Sequence, residues 1–183
     1  MKNSFFLIHI IVLLIVFMFS FSDNIFSGEE NLAANPSFET GGKAVGQEYN
    51  QNGWTFFVIE EPAEGKITGN AKDGKSCFEI RVQKGRGFLH SDVFPVEASS
   101  DLSVSVWVKG SGKTAVEVLW WKEYNGDIVN ESEHHRDVLK KFEPSDSWEE
   151  INLSARIPKD AKYAYIRLAA EGGNICFDNI VVK

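Results

Sequence analysis

The sequence predicts an all-β protein, a β-sandwich, and three observations carry that expectation. Beyond the N-terminal segment, apolar side chains recur at every second position, the period of a strand with one buried face. Gly-, Asn- and Asp-rich turn signals separate these runs at short intervals. No stretch after residue 27 carries apolar residues at helical spacing.

Taken in order, residues 5–21 are almost wholly apolar behind Lys2, and Ser22 or Ser27 offers a small residue for cleavage. This is the pattern of a secretory signal peptide, with an uncleaved anchor as the rival reading. The expected organisation is a signal peptide over 1–27 and one domain over 28–183, secreted or periplasmic/extracellular. Phe78, Ile80 and Val82 then alternate with Glu79 and Arg81. Leu102, Val104, Val106 and Val108 alternate with Ser103, Ser105 and Trp107, and Val116, Val118 and Trp120 with Glu117, Leu119 and Trp121. Ile151 and Leu153 follow, then Ala164, Ile166 and Leu168, then residues 175–182. Turn signals fall at Asp73-Gly74, residues 84–87, Gly110-Ser111-Gly112, Asn125-Gly126-Asp127 and Gly172-Gly173-Asn174. Residues 41–52 and the heavily charged 128–147 read as irregular.

Net charge is −7, and loss of residues 1–27 removes one charge of each sign. Such a surface argues against nucleic acid or an anionic membrane as partner, since both reward clustered Lys and Arg. Two cysteines in an exported chain, Cys77 and Cys176, read most simply as a disulfide, with two buried thiols as the alternative.

Catalysis finds no support. Glycoside hydrolysis needs two carboxylates flanking one bond, whereas the neighbours Glu60-Glu61 and Glu149-Glu150 point to opposite faces of a strand. Nucleophile-elbow, zinc-protease and phosphate-loop motifs are absent from the sequence. His134-His135 reads as a solvated loop rather than a metal site.

A series of short motifs runs through the domain: Asn31-Leu32, Asn35-Pro36-Ser37-Phe38-Glu39, Gly53-Trp54, Asp73-Gly74-Lys75-Ser76, residues 102–109, Trp148, Ile157-Pro158 with Ala161, and Phe177-Asp178-Asn179-Ile180. In this order and spacing the chain resembles the galactose-binding-like jelly rolls. Within them it is similar to the cellulose- and xylan-binding modules of families four, nine, sixteen and twenty-two. The resemblance implies a jelly-roll β-sandwich with a structural calcium ion. Glu39 and Asp178 would each give it a carboxylate, and the turn from Asp73 to Lys75 would give carbonyls and the Asp73 side chain. It also implies a secreted, non-catalytic module that binds a poly- or oligosaccharide, working free or beside a separate enzyme or cell-surface protein. After signal cleavage no membrane is expected as partner. The other reading is an extracellular jelly roll that recognises a protein.

Sugars offer flat C–H faces and outward hydroxyls, so a groove for them needs exposed aromatic platforms flanked by polar groups. Trp54 and Trp148 sit at framework positions and are expected in the core, as is Trp120, in phase with Val116 and Val118. Trp121 points away with Glu117, and Trp107 lies on the Ser103 and Ser105 side of its strand. These two are the candidate stacking platforms, against the alternative that both plug a second layer. Arg81, Tyr124, Glu117 and His90 are the candidate polar partners, although Arg81 is as readily explained by pairing with Glu79.

Overall fold

A computed structural model describes residues 30–40, 49–51, 53–59, 62–124 and 134–183. The signal-peptide expectation and the Asn125-Gly126 turn lie outside them. Among the described residues every element is a strand, and every pairing is antiparallel. The strands are β1 (Tyr49–Gln51), β2 (Trp54–Ile59), β3 (Ala63–Thr68), β4 (Cys77–Ser91), β5 (Phe94–Pro95), β6 (Asp101–Trp121), β7 (His134–Phe142), β8 (Glu149–Arg156) and β9 (Tyr163–Val182).

Three of these strands are long enough to serve two layers. In β4, β6 and β9 the glycine signals that read as turns are bends within continuous strands. The β4–β9 register shifts between Val82 and Arg86, and the β6–β9 register shifts between Ser111 and Lys113. Gly112 sits at this bend with φ +108°, and a Cβ there would collide with the Gly172 carbonyl, so only glycine fits. The bend is sharp enough to fold β4 onto itself. A Cβ on Gly87 would lie 2.8 Å from Ile80 Cγ2 of the same strand. Seven residues of straight strand would separate those positions by roughly 23 Å.

Two sheets result. The first runs β3, the N-terminal half of β4, the C-terminal half of β9, the N-terminal half of β6, then β8. The second runs β1, β2, the rest of β4, the N-terminal half of β9, the rest of β6, then β7, with β5 also paired to β9. One core fills the space between them. Phe78, Ile80, Val106 and Phe177 come from the first sheet, and Trp54, Phe56, Val118 and Ile166 from the second. Phe56 and Phe78 meet across the layers with ring centroids 5.7 Å apart, an aromatic contact favoured beyond its buried area. Trp120 also turns inward, its indole Nε1 donating to Asp137 Oδ2 at 2.7 Å.

The ends of the domain meet. Leu32 N donates to Val182 O at 2.9 Å, and the Asn31 side chain both accepts from Val182 N and donates to Ile180 O. Three expectations need correction. Charged residues 134–142 form strand β7, with His134 and His135 inside it, because pairing with β6 supplies the partners that their sequence pattern hides. Trp148 is half-buried under the Lys109 ammonium, 4.7 Å from its ring centroid, and stands outside the core. Cys77 and Cys176 are free, buried thiols rather than a disulfide. Cys176 stands opposite Glu79, which makes Cys77 its diagonal neighbour. Their mutual hydrogen bond pulls the Cys77 thiol down to about 7 and pushes that of Cys176 up.

Candidate functional site

The second sheet carries a side-chain arrangement on its outer face that the first sheet lacks. Cross-strand register lays it out as rungs. One rung reads Thr55, His90, Arg167, Glu117 and Val138 across β2, β4, β9, β6 and β7. The next towards the bend reads Phe57, Phe88, Ala169, Ala115 and Lys141. On the other side lie Tyr165 with Leu119, and then Tyr163 with Trp121. Each strand alternates, so the same residues that leave the core empty-handed populate this face.

Ring contacts run unbroken across it. Tyr124 lies 5.9 Å from Tyr163 and meets Trp121 edge-on at 6.1 Å. Trp121 reaches Tyr165 at 6.3 Å, Tyr165 stacks on His90 at 5.1 Å, and His90 contacts Phe57 at 4.8 Å. Within the run, Trp121 is buried, only 3% exposed, whereas Tyr124 is 37% exposed and Tyr163 is half-buried. Trp121 therefore supports the face from beneath, and the tyrosines present it. Burial, reinforced by the nearby Arg167 charge, pulls His90 down to about 3, so its ring is neutral at physiological pH. Its Nε2 is buried and makes no hydrogen bond.

A buried ion pair marks the centre. Arg167 Nε donates to Glu117 Oε2 at 2.6 Å, its Nη2 contacts the same oxygen, and the guanidinium lies 4.8 Å from the Phe88 ring centroid. Both side chains are almost fully enclosed. Such a pair seldom repays its desolvation as stability alone. Beside it, towards the bend, a hollow of about 270 Å³ opens over Ala115 and Ala169. It continues into a wider one of about 740 Å³ rimmed by Ile59 and the bend glycines.

Of the residues expected at a sugar site, Trp121, Tyr124, Glu117 and His90 share this face. Trp107 and Arg81 do not. Both stand on the outer face of the first sheet: Trp107 lies under the Lys72 ammonium at 4.2 Å, and Arg81 pairs with Glu79 at 2.7 Å. Trp107 and Trp121 thus belong to opposite sides of the sandwich and share no groove. Arg167, Tyr163 and Tyr165 were not anticipated. Their signal was the alternation of Tyr163, Tyr165 and Arg167 with Ala164, Ile166 and Leu168, which sets a polar-aromatic face against a core face.

The residues expected to hold calcium do converge, but through main-chain amides. Glu39 Oε1 accepts from Lys75 N and Ser76 N, each at 2.7 Å. Asp178 Oδ2 accepts from Lys72 N at 2.7 Å and Asp73 N at 2.9 Å, and Asp73 Oδ1 accepts from Gly74 N. A hard cation needs several oxygens facing it, and here N–H donors occupy Glu39 Oε1, Asp73 Oδ1 and both Asp178 oxygens. Among the described residues no group of three or more His, Cys, Asp and Glu side chains could hold a metal. In this arrangement the set is a clasp of carboxylates on main-chain amides. Burial pushes the Asp178 carboxyl up despite three amide donors.

No family model matches the chain, and no curated protein matches it. Solved structures do. The N-terminal CBM22-1–GH10 modules of Clostridium thermocellum endo-1,4-β-D-xylanase 10B, complexed with xylohexaose, superpose with TM-score 0.59 at 15% identity, over 85% of this chain and 28% of that one. A family 16 carbohydrate-binding module superposes with TM-score 0.56 at 15% identity, over 84% and 99%. TmCBM61 in complex with β-1,4-galactotriose gives 0.53 at 17% identity, over 85% and 99%. The fold is that of the carbohydrate-binding modules. It is a jelly-roll β-sandwich, all-β as the alternation predicts.

Proposed function

We propose that the protein is a secreted, non-catalytic module that binds poly- or oligosaccharide on the outer face of its second sheet. One observation carries the reading: a continuous aromatic run, a buried Arg–Glu pair and a concave hollow occupy adjacent rungs of one sheet face. Apolar sugar faces would lie on Tyr124 and Tyr163, with Trp121 and Tyr165 holding those rings in place. Arg167, almost fully enclosed, fixes Glu117 where that carboxylate lines the hollow. Binding moves no covalent bond, so the face needs no general acid, and neutral His90 serves as a ring. The concave shape favours a glycan over a flat protein partner. Export would follow from cleavage of residues 1–27, giving an extracellular or periplasmic module that acts alone or beside a separate enzyme.

Affinity electrophoresis through gels of soluble polysaccharides tests the reading. Tyr124→Ala is expected to lose most retention while melting at the wild-type temperature, because that ring is exposed. Trp107→Ala is expected to keep full retention. Equal retention of wild type and Tyr124→Ala, or loss in Trp107→Ala, would move the site elsewhere.

A further inference from the structure

The hollow beside the Arg167–Glu117 pair has a chemistry of its own. Its floor is one rung in which the two central strands carry only Ala169 and Ala115, between Phe88 on β4 and Lys141 on β7. The rungs on either side carry long side chains, so two methyl groups in their midst leave about 270 Å³ of space. Ligand sites usually measure about 300–1,000 Å³, so this one suits a single ring rather than a length of chain.

The lining carries three cations, Arg86, Lys113 and Lys141, against three anions, Glu117, Glu143 and Glu171, and Arg167 behind Glu117 adds one positive charge. Of the lining acids, Glu117 is engaged by Arg167, and Glu171 pairs with Arg86 at 3.7 Å. Lys113 and Lys141 have no carboxylate partner among the described residues, and Glu143 has no cation. Two free ammonium groups against one free carboxylate make the hollow locally cationic, on a chain of net charge −7. Both lysines are exposed, so their ammonium groups are accessible to a ligand in the hollow.

We propose that this hollow takes a carboxylate-bearing sugar unit, a hexuronate within or branching from the bound chain; the proposal rests on the glycan-binding reading above. The ring sits on the alanine floor against Phe88, and Lys113 and Lys141 reach its carboxylate as flexible point charges. Neutral sugars leave the lysines solvated, so selectivity arises from ion pairs gained and is screened by salt.

Affinity electrophoresis with polygalacturonate and glucuronoxylan, each native and carboxyl-reduced, and with neutral galactan and xylan tests this. Native acidic polymers are expected to retain the protein, more weakly as salt rises and several-fold more weakly after carboxyl reduction. Lys113→Gln/Lys141→Gln should weaken retention by acidic polymers roughly tenfold, the product of two modest surface pairs, without changing the melting temperature. Glu143→Gln should strengthen it. Equal retention of native and reduced polymers, or an unchanged double variant, overturns the hexuronate proposal and leaves glycan binding standing. No retention on any polymer overturns both.

Discussion

His90 shows how placing a single residue sets a measurable property. Free in an unfolded chain it would take a proton near 6.5, whereas burial among Phe57, Phe88 and Tyr165 holds it unprotonated down to about 3. Between those values the unfolded state binds one more proton than the folded state, so stability must fall as pH falls through that window. The slope approaches about 1.4 kcal/mol per pH unit from this group alone. Denaturant unfolding at pH 7, 6, 5 and 4 should show that loss, and His90→Gln should remove its share. An identical pH dependence in His90→Gln would show that the ring is not held neutral. Arg167 is the residue that only the structure could select. Its phase with Tyr163 and Tyr165 was legible in the sequence, but its partner Glu117 lies fifty positions away, and their meeting depends on the β6–β9 register. Arg81, equally well phased, sits on the wrong sheet for the same reason.

At the scale of elements, the alternation in residues 78–82, 102–108, 116–121 and 164–168 identified true strands with the correct buried faces. Their glycine boundaries were misleading. Gly85, Gly112, Gly172 and Gly173 have the positive φ of turn residues, yet they bend strands that continue beyond them, so apparent neighbours are halves of one strand. A turn and a bend use the same conformational freedom, and only the cross-strand pairing distinguishes them. β7 was hidden for a different reason: among the described residues it is the edge strand of its sheet, and charge suits such an edge. Gly112→Ala tests the bend. It would force a Cβ into the Gly172 carbonyl at a positive φ, and should cost on the order of 2–3 kcal/mol in urea unfolding. A wild-type midpoint would show that β6 and β9 do not cross closely there.

For the whole molecule, closure of the two ends is central to stability. The anticipated acidic pair, Glu39 and Asp178, does tie the first and last segments to the same turn. The tie consists of amide hydrogen bonds, each of the charge-assisted kind. Removing divalent cations with EDTA should therefore leave the melting temperature unchanged, and adding millimolar Ca²⁺ should not raise it. A saturable rise with Ca²⁺ would show that the turn reorganises around an ion. Two sheets closed in this way keep the aromatic face of the second sheet on a rigid scaffold, which suits a binding surface that must be ready before its ligand arrives.

The most direct measurement is backbone-amide NMR of the labelled protein titrated with soluble oligosaccharides, neutral and uronate-containing. The account predicts saturable shifts centred on Tyr124, Tyr163, Arg167 and Ala169, with Trp107 and Trp148 on the opposite face unmoved. Saturable shifts confined to Trp107 and Trp148, or none with any sugar, would contradict it.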